Sequence, residues 1–222
     1  MLKALKGLKY PDEYFIKFFF KTALDQRSNQ TFLEFGCGNG NNLLLPYQYN
    51  NHVVGVDMNA SLIDYAKDNF ALVQNENTFQ FYAEDMRDFV LKHQSLQADV
   101  FMLPSVACYI AREEFIQFLQ SIKRNQLIKS SVPFYIRLRT PKDYRFGLGE
   151  ALDKQTFKMP SPSGTGEDGA LMVFYDEWEL VDLLREHIQL KNFKVFSLDC
   201  QNEQAGKIIL NSDIVIWGEV NG

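Results

Sequence analysis

The chain has 222 residues, 46% of them hydrophobic and 23% charged, with a formal net charge of −5. That is enough sequence for one domain with a full core and short for two. The acidic balance disfavours a nonspecific nucleic-acid binder, which needs a basic surface, and leaves room only for a local basic groove.

In chain order, the pattern alternates helix and strand almost throughout. Residues 11–26 read as a helix opened by Pro11-Asp12-Glu13. Residues 31–36 read as the first strand, and a helix is expected within 41–47, with Pro46 in its first turns or at its end. A second strand covers 52–57. An amphipathic helix follows at 60–73, with Leu62, Ile63, Ala66, Phe70 and Val73 on one stripe. A third strand at 78–83 precedes a short helix at 86–92. The fourth strand, 99–103, is nearly all apolar, as suits a strand covered on both faces. A helix at 112–127 carries Phe115, Ile116, Leu119 and Ile122 at core spacing, and the fifth strand spans 133–140. Residues 141–170 read as an irregular segment rich in Gly, Pro, Lys and Asp; so long a loop in a compact domain is usually functional or disordered. A helix at 176–190 follows. Strands at 194–199 and 213–220 close the chain, paired antiparallel through a turn near Gly206. Such alternation implies an α/β fold with a mainly parallel sheet and helices on both faces.

The strand ends hold the polar residues that matter, because ligands of open parallel sheets bind outside the carboxyl ends of the strands. The first strand runs into Glu34-Phe35-Gly36-Cys37-Gly38-Asn39-Gly40. Glycines there let main chain approach a bulky ligand, and the Glu34 carboxylate suits a ligand carrying positive charge. The second strand ends at Asp57, about 20 residues beyond the glycine turn, the position that receives ribose hydroxyls. The third ends at Glu84-Asp85-Met86 and the fourth at Pro104-Ser105. The glycine spacing is GxGxG; the dinucleotide pattern GxGxxG would need its third glycine at Asn41. Taken singly, each feature has a plainer reading: a structural turn for the glycines, helix caps for Asp57 and Asp85, a packing residue for Cys37. It is their coincidence at successive strand ends that carries weight.

On EFGCGNG at 34–40, VVGVDMN at 53–59, AEDM at 83–86 and ADVFMLPS at 98–105, the chain resembles the class I S-adenosylmethionine-dependent methyltransferases. The resemblance covers nearly the whole length. It implies a Rossmann-like, seven-stranded, mostly parallel sheet with helices on both faces and a C-terminal antiparallel strand pair. It implies one methyltransferase domain over 1–222, with a helical cover at 1–28 and a substrate-side insertion or flap at 141–175. The implied cofactor is S-adenosylmethionine. By the same resemblance Glu34 faces the methionine ammonium, and Gly36, Cys37 and Gly38 pack main chain against the methionine portion. Asp57 accepts the ribose hydroxyls and Met58 packs on adenine. Asp85 accepts from the adenine amine, the Met86 backbone reads a ring nitrogen, and Leu103 and Pro104 border the transferred methyl.

On the acceptor side, alternation places Tyr135, Arg137 and Arg139 on one face of the fifth strand. Two arginines on one face of a covered strand need partners. Two readings stay open: an anion-binding wall extended by Tyr144 and Arg145, or internal ion pairs with Glu150, Glu167 or Asp168. Tyr175 is a further candidate for the pocket lining. Methyl transfer from a sulfonium needs orientation and exclusion of water more than acid–base help. No residue has the surroundings of a general base; Tyr109 and Glu84 are the candidates. No metal-ligand cluster is evident. Leu103-Pro104-Ser105-Val106 lacks the Asn/Asp-Pro-Pro-aromatic sequence used by family members on amino groups, and Cys108 does not match the cytosine-methylating pattern.

The expectation is therefore methyl transfer to a small-molecule acceptor, anionic or a sugar nucleotide, with nucleic acid disfavoured as a partner. The alternatives are an RNA or protein methyltransferase, a noncatalytic cofactor-binding subunit and a nicotinamide-dependent oxidoreductase, the last opposed by the glycine spacing. Cys37, Cys108 and Cys200 form neither a disulfide framework nor a CxxC pair, which favours a reducing compartment. No signal-peptide run opens the sequence, and no stretch reaches the roughly 18 apolar residues that span a bilayer. A cytoplasmic protein without membrane contact is expected.

Overall fold

The computed structural model describes residues 2–73, 75–94, 96–164, 166–204 and 206–221. A seven-stranded sheet forms its centre. In chain order its members are β1 (Thr31–Phe35), β2 (His52–Asp57), β3 (Phe79–Ala83), β4 (Val100–Pro104), β5 (Val132–Arg139), β9 (Lys191–Gln204) and β10 (Lys207–Val220). Their spatial order is β3-β2-β1-β4-β5-β10-β9. The first five run parallel; β10 lies antiparallel to both β5 and β9. The order reverses between β1 and β4, so a crevice opens at the carboxyl ends of those two strands.

Alternation along each strand divides the core. Phe32 and Tyr135 face a cluster with Phe15, Phe18 and Phe19 of helix α1 (Glu13–Lys21), Ile63 and Phe70 of α3 (Ala60–Ala71), and Trp217. Leu33, Phe35, Phe134 and Ile136 face the opposite cluster. There they meet α4 (Met86–Lys92), α5 (Arg112–Arg124) and α6 (Glu177–Ile188) through Phe89, Phe115 and Leu184. Both faces of the parallel strands are thus covered, which explains their near-continuous apolar sequence.

Three elements differ from expectation. The helix anticipated over 11–26 is shorter. Asp12 caps α1 by accepting from Tyr14 N–H at 2.9 Å and Phe15 N–H at 3.0 Å, and Thr22 Oγ1 bonds back to Phe18 O at 2.7 Å. Ala23 then turns left-handed at φ 55°, and only a 3-10 turn at Leu24–Gln26 follows. The helix expected at 41–47 starts later, as α2 (Leu44–Gln48), because Asn41 and Asn42 have other work, described below. Pro46 sits in its first turn, where a missing N–H costs nothing.

Residues 141–170 are not an irregular loop. They contain β6 (Glu150–Ala151) and β7 (Thr156–Lys158), which with β8 (Leu171–Val173) form a small antiparallel sheet. Phe146, Phe157 and Phe174 pack beside it, with ring centroids 5.1–5.9 Å apart. Strands of two and three residues are too short to show a period. The closing hairpin also exceeds its expected length: β9 and β10 have 14 residues each and turn at Gly206, φ 74°. Its outer half is largely exposed and polar, so no apolar alternation announced it.

Candidate active site

The glycine turn is held from both sides. Gly36 and Cys37 donate their N–H groups to Val56 O at 2.8 and 3.2 Å. Gly36 has φ +72°, and a Cβ there would lie 2.5 Å from Val106 Cβ, so no side chain fits. Gly38 N–H donates to Asp57 Oδ2 and Asn59 N–H to Asp57 Oδ1, both at 2.9 Å. Asp57 therefore ties the end of β2 to the turn after β1.

The asparagines between and after the glycines clasp the N-terminal segment over this turn. Asn39 Nδ2 donates to Lys6 O and Leu8 O at 2.9 and 2.8 Å, and its Oδ1 accepts from Leu8 N–H at 3.1 Å. Asn41 Nδ2 donates to Tyr10 O at 2.9 Å. Asn42 accepts from Asp12 N–H and donates to Glu34 Oε1, each at 2.8 Å. Sequence reasoning gave the asparagines of this stretch no role; the amide side chains that flank Gly38 and Gly40 were the signal it passed over.

Three cavities meet at the carboxyl ends of the strands. One, about 330 Å³, is lined by Asp57, Met58, Glu84, Asp85, Met86, Val106 and Ile110. The second, about 580 Å³, lies under the N-terminal segment, between Leu8, Tyr10 and Asp12 on one side and Glu34, Cys37, Gly38 and Pro104 on the other. Gly36 borders both. The third, about 320 Å³, is lined by Arg137, Arg139, Arg145, Asp143, Asp213, Asn202 and Asn211. Ser105 borders all three. It follows β4 at φ +56°, a strained conformation for a serine, and donates its N–H to Arg137 O at 2.8 Å. Nothing in the sequence marked it beyond its place at a strand end.

Glu34 gives the second cavity its chemistry. It is 1% exposed, and its Oε2 has no hydrogen-bond partner. Burial, with the charges of Asp57 and Asp12 nearby, pushes its carboxyl up to about 8, although the Asn42 amide opposes the shift. An unpartnered buried carboxylate oxygen facing a cavity is a site for a cation or a donor. An ammonium fits that need, and the side-chain-free main chain at Gly36 and Gly38 leaves room for the body of a ligand. The residues present thus suit a molecule carrying both an ammonium and a nucleoside.

Other anticipated site residues divide. Met58 is 79% exposed at the cavity edge. Asp85 reaches the first cavity but also caps α4. Its carboxylate accepts from Arg87 Nε at 2.9 Å and Nη2 at 2.6 Å, and the Arg87 guanidinium holds it below the usual carboxylate range. Leu103 does not border the site: it is fully buried among Phe101, Phe134 and Ile136, because β4 points it into the core. Tyr175 is likewise fully buried, packed edge-on against Phe115 under the Arg112 guanidinium. Its hydroxyl has no partner and lines none of the three cavities. Cys37 contributes main chain only; its sulfur is directed at Gly55, and burial raises its thiol well above the ordinary range. Tyr144 donates to Gln204 Oε1 at 2.7 Å and stays outside the third cavity.

Neither candidate base is placed as one. Burial pushes the Tyr109 hydroxyl up to about 12. Glu84 is engaged by Lys92 at 3.1 Å and faces His93 at 3.6 Å. The arginines combine the two open readings: they line a cavity and are ion-paired. Arg137 binds Asp12 and Asp213, Arg139 binds Glu167, and Arg145 binds both Asp143 and Glu167. Asp12 and Asp213 were not anticipated as partners. Among the described residues, no helix is long and apolar enough to cross a membrane, and no group of three or more His, Cys, Asp or Glu is arranged to hold a metal.

Residues 32–126 match the model of a methyltransferase domain. A curated relative, an uncharacterized RNA methyltransferase from Chlamydia caviae, is 28% identical over 109 residues. The match takes in 49% of this chain and 27% of that protein, so it spans only about a quarter of the relative's length. A SAM-dependent methyltransferase structure from Methanosarcina mazei has a TM-score of 0.66 at 20% identity, covering 89% of this chain and 96% of its own. Magnesium protoporphyrin IX methyltransferase from Synechocystis, solved with bound SAM, has a TM-score of 0.57 at 12% identity, covering 95% and 79%. These structural likenesses establish the fold.

Residues 32–126 thus match a methyltransferase domain, and the chain shares its fold with S-adenosylmethionine-dependent methyltransferases of known structure.

Proposed function

We propose that the protein methylates a small-molecule acceptor that enters through the arginine-lined cavity. The observation that carries this reading is Ser105, the residue common to all three cavities, which makes the donor hollow and the arginine cavity neighbours at the end of β4. When bound, S-adenosylmethionine supplies an electrophilic methyl on a sulfonium. Glu34 would take the ammonium, the Gly36–Gly38 main chain would hold the methionine portion, and Asp57 would accept the ribose hydroxyls. Met58, Val106 and Ile110 offer apolar surface for adenine. With neither Tyr109 nor Glu84 placed as a base, the contribution of the described residues is positioning and the exclusion of water.

The volume of the third cavity, about 320 Å³, suits a metabolite rather than a polymer segment. The test is a radiolabelled methyl-transfer screen against pooled small anionic metabolites and sugar nucleotides, with products separated by size and charge. Label in a small product supports the reading; label only in macromolecules overturns it. The second reading is an RNA methyltransferase, favoured by the name of the Chlamydia caviae relative. RNA binding that weakens steeply with salt, and is lost on charge reversal of exposed lysines beside the site, would favour it.

A further inference from the structure

The acceptor side carries a charge mismatch that, on the methyltransferase reading above, indicates what the acceptor must bring. Arg137, Arg139 and Arg145 are matched against four carboxylates, those of Asp12, Asp213, Asp143 and Glu167. With all four in place the cavity offers an anion no net attraction, although its donors are the guanidinium forks best suited to one.

Three of the four carboxylates are built into the frame. Asp12 caps α1 and accepts from Tyr135 OH at 2.7 Å. Asp213 lies within β10, paired in register with Arg139 of β5. Asp143 is 3% exposed and accepts from Ser212 N–H at 3.1 Å and Arg145 N–H at 3.0 Å.

Glu167 is different. It lies in the connection between β7 and β8, closed at its base by Met159 N–H to Ala170 O at 2.8 Å, and its main chain is bonded within that connection, its N–H donating to Ser163 Oγ at 3.2 Å and its C=O accepting from Ala170 N–H at 3.1 Å. Gly164, Gly166 and Gly169 on this connection all have positive φ, and nothing lies within 4 Å of the Cβ position of any of them. At these three positions the glycines have open space and main-chain freedom that a larger residue would not have.

The seat that Glu167 occupies is a formed oxyanion receptor. Oε1 accepts from Arg139 Nη2 and from Tyr109 OH, both at 3.0 Å, and Oε2 accepts from Arg145 Nε at 2.8 Å. Arg139 Nη1 in turn donates to Tyr109 OH at 3.2 Å, so the phenol is oriented by the same arginine. Both guanidiniums also line the third cavity, which reaches Ser105 and the end of β4.

We propose that Glu167 is a removable stand-in for an anionic group of the acceptor, and that a substrate carboxylate or phosphate displaces it from Arg139, Arg145 and Tyr109. Once Glu167 leaves, the cluster goes from one carboxylate in excess to balance, and Arg139 alone is left without a carboxylate partner, its guanidinium open to the incoming anion. The tethered carboxylate competes at an effective concentration on the order of millimolar. It thereby holds weak or singly charged anions out and admits acceptors that offer a stronger pair of oxygens.

Sulfate serves as the probe, titrated calorimetrically into the full-length protein against chloride at constant ionic strength. Glu167→Gln should bind sulfate at least tenfold more tightly than the wild type, and adding Arg139→Lys should abolish the gain. Equal affinity in a folded Glu167→Gln protein overturns the proposal. A second measurement needs no variant: cleavage of the wild type by a glutamate-specific protease. Sulfate should accelerate cutting after Glu167 at least threefold and leave cutting after the exposed Glu13 unchanged; an unchanged rate after Glu167 also overturns the proposal. S-adenosylhomocysteine binding, measured in parallel, separates the two levels. If it binds while the sulfate tests fail, only the role of Glu167 is lost; if it does not bind, the methyltransferase reading itself fails.

Discussion

The proposed donor half and the proposed acceptor half of the site are built by different physics. The donor half, at the ends of β1 and β2, is made mainly of main chain: a glycine turn hydrogen-bonded to Val56 O and to Asp57, overlaid by a segment that asparagine amides clasp. Its contacts join residues of the first seventy positions. The acceptor half is made of long charged side chains from β5, β10 and the connection after β7, with Arg137 reaching Asp12 and Asp213 across the length of the chain. A backbone cradle is rigid and suited to one constant ligand. A cavity lined by exchangeable ion pairs can be retuned to a new acceptor without disturbing the donor.

That contrast can be broken at several points. The largest effect is expected in the donor half. Gly36→Ala places a Cβ against Val106 and strains the positive φ, and should cost about 3 kcal/mol or more of stability and abolish cofactor binding. Gly147→Ala, at φ +82° in open space, should cost only about 1 kcal/mol by chemical denaturation; equal costs would remove the case for a cradle. Next, Arg137→Met leaves the Asp12 and Asp213 carboxylates, 18% and 12% exposed, without their shared cation. A loss of roughly 2–4 kcal/mol is expected, and a negligible loss would mean that these pairs do not hold the acceptor wall.

Glu34 tests the electrostatics of the donor half through pH. Its carboxyl sits at about 8 in the fold, above its value in the unfolded chain, so the folded state binds the proton more tightly. The unliganded protein should therefore lose stability as pH rises from the ordinary carboxylate range through about 8. Affinity for S-adenosylmethionine should rise over the same window, by at most about tenfold per pH unit, because the ammonium requires the ionised form. Glu34→Gln should flatten both profiles; profiles unchanged from wild type would place the titration elsewhere. The smallest effect concerns the buried hydroxyl that lies outside the site. Tyr175→Phe removes an unpartnered group and should leave the melting temperature unchanged or raise it by up to about 1 kcal/mol equivalent, with cofactor affinity unaltered.

What was legible in the sequence follows the same division. The seven strands and the glycine turn were readable because their signals are local: apolar runs, a two-residue glycine spacing, a carboxylate at the ends of the first three strands. Leu103 was misjudged because the motif gives its neighbourhood but not its side; β4 alternation sends it into the core and leaves Pro104 and Ser105 at the cavities. Tyr175 was misjudged because its burial depends on α5, sixty residues earlier in the chain. The pairing of Arg137 with Asp12, at a separation of 125 residues, leaves no local trace. Nor does the place of Ser105 at the meeting of three cavities, which exists only once β1, β4 and β5 lie side by side.

The central claim is that one carboxylate-edged hollow at the ends of β1 and β2 binds S-adenosylmethionine. The most direct measurement is a calorimetric titration of S-adenosylmethionine into wild-type and Asp57→Ala proteins, with circular dichroism confirming that both are folded. Saturable one-to-one binding by the wild type, weakened at least about tenfold (roughly 1.4 kcal/mol) in the variant, is the predicted result. Equal affinity in the two proteins, or no binding by the wild type, would contradict it.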